Sequence, residues 1–137
     1  MPANLGTLYV QCQRGRGLYN VEVLGRKMDP YAKLQFQGKE HKTKTADNGH
    51  KAPEWTGDPT FDFTVSDADN GSPKRILVVE VFEANKVRDD SMIGCNYSFD
   101  IAPFLSAAST DQQPAFHSWV NLQTVGGKPG GEVMLKI

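Results

Sequence analysis

The stretch from Lys27 to Leu34 places a carboxylate and a lysine around the start of an alternating segment. Asp29 precedes Pro30, and this pair marks the end of a loop because proline fixes φ and donates no backbone hydrogen bond. The alternation that follows predicts a strand with Tyr31 and Lys33 on its outward face. A carboxylate at this junction beside an outward lysine suits the holding of a cation or an anionic headgroup, and it suits bond-breaking chemistry poorly.

Other residue types with chemical potential occur singly. The histidines show no metal-ligand spacing; they are His41, His50 and His117. Cys12 and Cys95 lie in apolar segments, which favours two buried thiols in a reducing compartment over one disulfide. No glycine-rich phosphate loop precedes a helix, and no nucleophile elbow is present. The sequence therefore predicts a protein that is not an enzyme.

Composition narrows the class of protein further. With 137 residues, 39% hydrophobic and 23% charged, the chain fits one folded domain over residues 1–137. The formal net charge of −1 gives no bulk attraction to nucleic acid, so no nucleic-acid partner is expected. No apolar run approaches the roughly 20 residues of a membrane span, and the first residues lack the features of a signal peptide. A small cytoplasmic domain is the expectation.

Eight short segments have the alternation or the β-branched and aromatic content of strands. They cover 8–12, 30–38, 39–45, 61–65, 76–82, 92–101, 116–122 and 133–137. Residues 102–109 allow a helical turn at most, limited by Pro103. Turn signals about every ten residues predict an all-β fold of eight antiparallel strands, a β-sandwich or a barrel. Three intervening loops, 13–29, 46–59 and 83–91, are long enough to carry function.

A series of short motifs follows these elements along nearly the whole chain. They are Arg16-Gly17-Leu18, Met28-Asp29-Pro30-Tyr31, Lys42-Thr43-Lys44-Thr45, Pro53-Glu54-Trp55, Phe61-Asp62-Phe63, Val81-Phe82-Glu83, Asp89-Asp90-Ser91-Met92-Ile93-Gly94, Trp119-Val120-Asn121-Leu122 and Gly131-Glu132-Val133. In this order and spacing they resemble the C2 domain, a calcium- and lipid-binding β-sandwich. The chain is similar to small stand-alone C2 proteins such as the plant elicitor-responsive ones. The resemblance implies a type II strand order and three loops that meet at one end of the sandwich.

The resemblance also implies a calcium site made by acidic residues of the first and third loops. Asp29 matches strictly, whereas Val23, Asn85 and Ser91 stand where C2 domains usually carry aspartate. The remaining oxygen ligands would come from Glu22, Glu83, Asn85, Asp89 and Asp90. These ligands would compensate for the missing acids only if the loops shift, and any calcium binding is expected to be weaker, because affinity follows the number of ligand charges. The alternative is that Asp29 caps its own turn while Asp89 and Asp90 are solvated turn residues.

Two surfaces would serve a membrane if the loops meet. Val23, Leu24 and Val87 are apolar residues flanked by Arg or Lys, a combination that suits an anionic leaflet. Residues 33–44 hold four lysines and one glutamate, and the strand pattern groups Tyr31, Lys33, Lys42 and Lys44 on one face. This face is similar to the lysine-rich groove by which some C2 domains take phosphoinositide headgroups. The alternative is a solvated lysine face that protects an exposed strand from unwanted pairing.

The expected function is a cytoplasmic, peripheral membrane-targeting module in signalling that binds anionic phospholipids, either calcium-assisted or calcium-independent. The alternative function is a calcium-independent adaptor that binds a protein partner. That alternative is motivated by the missing acids at Val23, Asn85 and Ser91.

Overall fold

Eight antiparallel strands make up nearly all of the regular structure. The computed structural model describes residues 4–22, 26–55, 60–66, 75–85, 89–104 and 115–137, without the side chains of residues 4 and 5. The strands are β1 (Asn4–Arg16), β2 (Pro30–Phe36), β3 (Lys39–Lys42), β4 (Phe61–Ser66), β5 (Ile76–Glu83), β6 (Ser91–Asp100), β7 (His117–Gln123) and β8 (Pro129–Lys136). A single 3-10 turn in these ranges, Ala102–Phe104, follows β6. The all-β prediction is confirmed.

The strands are ordered β3-β2-β5-β6-β7-β8-β1-β4. The junction between β6 and β7 has one paired position, Cys95 with Gln123, so the order divides there into two four-stranded layers. The last strand, β8, pairs with the second half of β1, and β4 pairs with its first half. The first and last strands are therefore neighbours, in agreement with the type II order implied by the motifs.

Period-two alternation places the core between the layers. On β2 the side chains of Ala32, Leu34 and Phe36 are buried, while Tyr31 and its outward neighbours are half-buried. The ring of Phe36 meets that of Phe63 on β4 edge-on, with centroids 6.0 Å apart. Burial of these apolar surfaces is the main favourable contribution to the free energy of folding.

The two edge strands, β3 and β4, are joined by side chains. The amide of Gln37 donates from Nε2 to the carbonyl of Ser66 at 3.1 Å, and its Oε1 accepts the Ser66 N–H at 2.9 Å. Nearby, the His41 ring stacks on Phe61 at 5.0 Å, and its Nε2 lies 2.9 Å from the Asp62 carbonyl oxygen. The Gln37 side chain thus makes the two hydrogen bonds that a backbone peptide group would make between neighbouring strands. We call this contact between the two edges the seam.

The described parts of the three long loops lie together at one end of the sandwich. The His50 N–H donates to the Met28 carbonyl at 2.9 Å, which joins the β3–β4 loop to the β1–β2 loop. The Ala84 N–H donates to the Asp29 carbonyl at 3.0 Å, which joins the β5–β6 loop to the same segment. We call this end the loop pole: residues 17–22, 26–29, 43–55, 84–85, 89–90 and the β7–β8 turn at 124–128.

Most strand boundaries differ from the sequence prediction by one or two residues, but β1, β3 and β8 differ by three or four. The strands β1 and β8 begin at Asn4 and Pro129, each four residues earlier than expected. The first strand was expected at 8–12 and the first loop from residue 13, but β1 continues to Arg16 after an irregularity between Cys12 and Arg14. The third strand ends at Lys42 rather than at residue 45, although the Thr43 N–H still donates to the Ala32 carbonyl at 2.9 Å. Cys12 is buried as expected, whereas Cys95 is only half-buried.

Gly131, in β8, provides a test of how tightly the loop pole is packed. Its φ is +102°, and a Cβ there would lie 2.7 Å from Leu18 Cα and 2.8 Å from the Gly17 oxygen. We expect Gly131→Ala to lower the free energy of unfolding by about 2 kcal/mol or more, through backbone strain and overpacking. Urea denaturation midpoints measure this change.

Gly126 is the matched control for this substitution. A Cβ there would meet its nearest neighbour, Thr124 Oγ1, at an ordinary 3.9 Å. Gly126→Ala should therefore stay within about 0.5 kcal/mol of the unmodified protein. Equal urea midpoints for the two variants would contradict the packing described for β8 against residues 17–18.

Candidate functional site

Asp29 is the central residue of the loop pole. It lies at the end of the β1–β2 loop, where Pro30 begins β2 and the chain must turn into the sheet. Its carboxylate Oδ1 accepts the Asn48 N–H at 2.7 Å, while its backbone oxygen accepts the Ala84 N–H at 3.0 Å. Asp29 therefore ties the first loop to the other two, and one of its carboxylate oxygens is already in use within the protein.

Glu83 lies beside Asp29, next to the loop pole, and is the most buried carboxyl among the described residues. It ends β5 opposite Pro30 in the sheet, and only 4% of its surface is exposed. Burial raises the pKa of Glu83 to about 7, and a side-chain hydrogen bond with Glu22 together with the charge of Glu22 adds to the increase. A hydrogen bond between two carboxyls requires that one of them carry a proton. With a pKa of about 7, Glu83 is partly protonated near neutral pH, beside Asp29.

Asp90 folds the β5–β6 loop back onto the outer face of β2. Its Oδ2 accepts the Tyr31 hydroxyl at 2.5 Å, and its Oδ1 accepts the Asn85 N–H at 2.8 Å. These two hydrogen bonds, with a further contribution from the charge of Lys42, lower the pKa of Asp90. The pKa of Tyr31 is raised, first by burial and then by Asp90. Asp89 is exposed.

These contacts decide how well the predicted ligands suit calcium. Calcium takes about six to eight oxygens, with ionised carboxylates among them. Of the acids predicted as ligands, Glu22, Asp29 and Glu83 lie together, whereas Asp90 joins Tyr31 and Asn85 instead. Across the described ranges, no group of three or more His, Cys, Asp or Glu side chains is placed to hold a metal ion. As arranged, the described donors do not fit a calcium site.

Three predicted membrane-contacting residues cannot be placed in this arrangement. Val23, Leu24 and Val87 lie outside the described residues. Their predicted insertion into a membrane remains a prediction. The described cations next to the first of these segments, Arg26 and Lys27, are both exposed.

The structure places the predicted lysine face on the outside of β2 and β3. Lys33 and Lys42 stand directly opposite each other in the antiparallel pair. Lys33 Nζ lies 3.7 Å from Glu40 Oε2 and 3.6 Å from Glu80 Oε1, so two glutamates partly neutralise its charge. It also lies 5.2 Å from the centre of the Phe82 ring.

The rest of the face is more open to solvent. Lys42 is exposed, and its Nζ lies 5.9 Å from the centre of the Tyr31 ring, which stacks on Phe82 at 5.7 Å. Lys44 is exposed just beyond the end of β3. We call Tyr31, Lys33, Lys42 and Lys44 the lysine face. Because Tyr31 also binds Asp90, this face is continuous with the loop pole.

A second cationic cluster, on the other layer, was missed by sequence reasoning. The Arg16 guanidinium lies 3.9 Å from the centre of the Trp119 ring, and its Nε is 3.0 Å from Glu132 Oε1. Arg14 lies 5.5 Å from the same ring. The available signal was the spacing of the arginines by two, which puts both on one face of a strand. The glycines beside these arginines favour a loop at residues 13–16, and that pattern hides the signal.

An antiparallel sandwich of this order, with its long loops at one pole, defines a C2 domain. The family model described as "C2 domain" matches residues 6–121, and the chain belongs to the C2 domain family. C2 domains are regulatory modules and are generally non-catalytic. None of the helical structure in the described ranges is long and apolar enough to cross a membrane.

The similar proteins include plant representatives. The chain is 31% identical over 90 residues to 16 kDa phloem protein 1 of Cucurbita maxima, a match that covers 66% of this chain and 58% of that protein. The match thus spans less than two thirds of the length of that relative.

Solved structures resemble the whole domain. A C2 domain of plant Extended Synaptotagmin 1, the one designated A, has a TM-score of 0.68 at 20% identity, with 98% of this chain and 93% of the other covered. A C2 domain-containing protein from a putative elicitor-responsive gene has a TM-score of 0.65 at 22% identity, with coverages of 99% and 89%. At these identities the likeness shows the fold, and it agrees with the family expected from the motifs.

The raised pKa of Glu83 predicts an unusual dependence of stability on pH. The folded state keeps a proton that the unfolded state releases at the ordinary pKa of 4.5, so folding is favoured below that value. This contribution falls as pH rises toward about 7 and is lost above it. Glu83→Gln removes the titration, and we expect the variant to exceed the unmodified protein in stability at about pH 8, with the difference shrinking toward about pH 5.

Urea denaturation across this pH range measures the effect. Glu54→Gln, a change at an exposed glutamate, is the control and should keep the slope of the unmodified protein. If Glu83→Gln also kept that slope, the raised pKa of Glu83 in the folded protein would be ruled out.

Proposed function

We propose that this C2 domain is a peripheral membrane-targeting module that binds anionic phospholipids through its lysine face and does not require calcium. The observation that carries the proposal is the exposed Lys42 directly opposite Lys33, beside the stacked rings of Tyr31 and Phe82. The face adjoins the loop pole, so one surface can present both cations and loops to a bilayer.

The electrostatics of the face favour an external anion. Like charges directly opposite each other across two strands are destabilising. Glu40 and Glu80 relieve this repulsion at Lys33, whereas Lys42 and Lys44 are exposed to solvent. A phosphate bound beside Lys42 would relieve the remaining repulsion. Each cation near an anionic leaflet contributes about 1 kcal/mol and is screened by salt, so reversible binding is expected.

The hydrogen bonds of the pole support binding that does not depend on calcium. Asp29 and Asp90 already accept backbone or hydroxyl hydrogen bonds that tie the three loops to each other and to the sheet. The loops are therefore held together by the protein's own donors. Calcium-assisted binding is the other form of this function expected from the sequence.

Co-sedimentation with vesicles tests the lysine face. We expect binding to vesicles that contain phosphatidylserine or phosphoinositide, and none to phosphatidylcholine alone. The double variant Lys42→Gln/Lys44→Gln should weaken binding about thirtyfold, since two cations at about 1 kcal/mol each are lost. Lys136→Gln, on β8 of the other layer, is the control and should bind as the unmodified protein does. Failure to bind any anionic vesicle would reject the proposal and favour the adaptor that binds a protein partner.

A second comparison isolates the role of calcium. Binding to anionic vesicles in excess chelator should stay within about threefold of binding with calcium, because the described carboxylates form no metal group. Calorimetric titration with calcium alone should show no heat at micromolar concentrations. A clear heat that disappears in Asp29→Asn would instead establish calcium-assisted binding.

A further inference from the structure

The β7–β8 turn holds an apolar side chain out in solvent. Val125 is 84% exposed at the tip of this turn. The turn is braced internally: the Thr124 N–H donates to the Lys128 carbonyl at 2.8 Å, the Gly127 N–H donates to the Thr124 carbonyl at 2.9 Å, and the Lys128 N–H donates to Thr124 Oγ1 at 3.1 Å. The valine is thus held in place by a closed turn, with an exposed lysine three residues away.

The turn belongs to the same pole as the three long loops. The Tyr19 N–H, at the start of the β1–β2 loop, donates to the Gly130 carbonyl at 3.3 Å. Gly131 lies against the backbone of Gly17 and Leu18 so closely that a Cβ would not fit. Tyr19 is itself 42% exposed. The end of the sandwich that faces a membrane in the proposed function therefore includes a fourth segment.

Between this turn and the end of β1 lies a groove of about 480 Å³. Its lining includes Arg16, Asn121, Gln123 and Pro129. The guanidinium of Arg16 is oriented by the Trp119 ring, whose centre lies 3.9 Å from its Cζ, and by Glu132, which accepts a hydrogen bond from its Nε at 3.0 Å and also lines the groove. A guanidinium held in this way can bind a phosphate through two parallel hydrogen bonds.

We infer that the β7–β8 turn and the adjoining groove form a second membrane-contact site, in which Val125 enters the interfacial region while Arg16 and Lys128 contact the phosphate of an anionic phospholipid. The inference rests on the proposed function and adds to it a contact on the other layer of the sandwich. An apolar tip beside cations is the combination that anionic interfaces bind. A lipid is favoured over other phosphate compounds because the exposed valine and the cations act together only at a bilayer surface.

A fluorescent label at position 125 reports whether the tip of the β7–β8 turn enters the membrane interface. In a Cys95→Ser background, Val125→Cys is labelled with an environment-sensitive fluorophore and mixed with vesicles that contain phosphatidylserine. We expect a blue shift and a rise in intensity on binding. The control is His117→Cys at the start of β7, about 20 Å from the end of the strand at 3.3 Å per residue, where the label should not change.

Two substitutions complete the design. Val125→Ser should weaken vesicle binding about fivefold without moving the urea midpoint, because the side chain is exposed. Arg16→Lys keeps the positive charge but loses the paired donors of the guanidinium, so it should weaken binding to anionic vesicles. In a separate experiment, millimolar glycerol phosphate should not compete with vesicles for the unmodified protein. Competition by that soluble phosphate would overturn the lipid as the source of the anion.

The outcomes separate this inference from the function on which it rests. Sedimentation with vesicles together with a shifted label at position 125 supports both. Sedimentation with a label that stays in water overturns the second site and leaves the lysine face as the membrane contact. No sedimentation overturns both, and a label shift that depends on protein concentration without vesicles would overturn the second site in favour of association between copies of the chain.

Discussion

The loop pole depends on hydrogen bonds to one aspartate. Asp29 accepts the Asn48 N–H through its carboxylate and the Ala84 N–H through its backbone, and these bonds join all three long loops. The Asp29 N–H in turn donates a hydrogen bond to the Glu83 carboxyl. The bond to the carboxylate is charge-assisted and therefore stronger than a neutral hydrogen bond, and it adds to the burial of the loop residues Leu18, Met28 and Trp55 in the core. The shape of the pole follows from these hydrogen bonds together with that burial.

Hydrogen bonds to the loop acids also affect the charge that the loop pole and the neighbouring sheet present to solvent. Asp90 binds the Tyr31 hydroxyl on the outer face of β2, and Lys42 contributes to the lowered pKa of Asp90. Asp29 and Asp90 are therefore engaged by internal donors, and exposed cations lie at the rim. A pole of this kind is less acidic than a row of solvated aspartates, and an anionic surface is correspondingly easier to approach.

Local patterns in the sequence predict the fold because burial follows a period of two. The alternation around Leu34 and Phe36 identifies the core face of β2 without any tertiary information, and the same holds for β4 and β5. The site is less accessible to such reasoning. The partner of Asp29 is 19 residues away and that of Tyr31 is 59 residues away, and such pairs depend on loop conformations that no local pattern encodes. The glycines around Arg16 resemble a loop, although tertiary pairing with β8 makes the segment a strand.

The seam at Gln37 has a consequence for the behaviour of the chain at high concentration. Unpaired strand edges act as templates for pairing with other molecules. Here the amide of Gln37 occupies the donor and the acceptor of Ser66, and the stacked His41 covers the adjacent stretch of β4. Gln37 and His41 thereby cover this edge of the sheet and limit its pairing with strands of other molecules. This protection favours a monodisperse protein at high concentration.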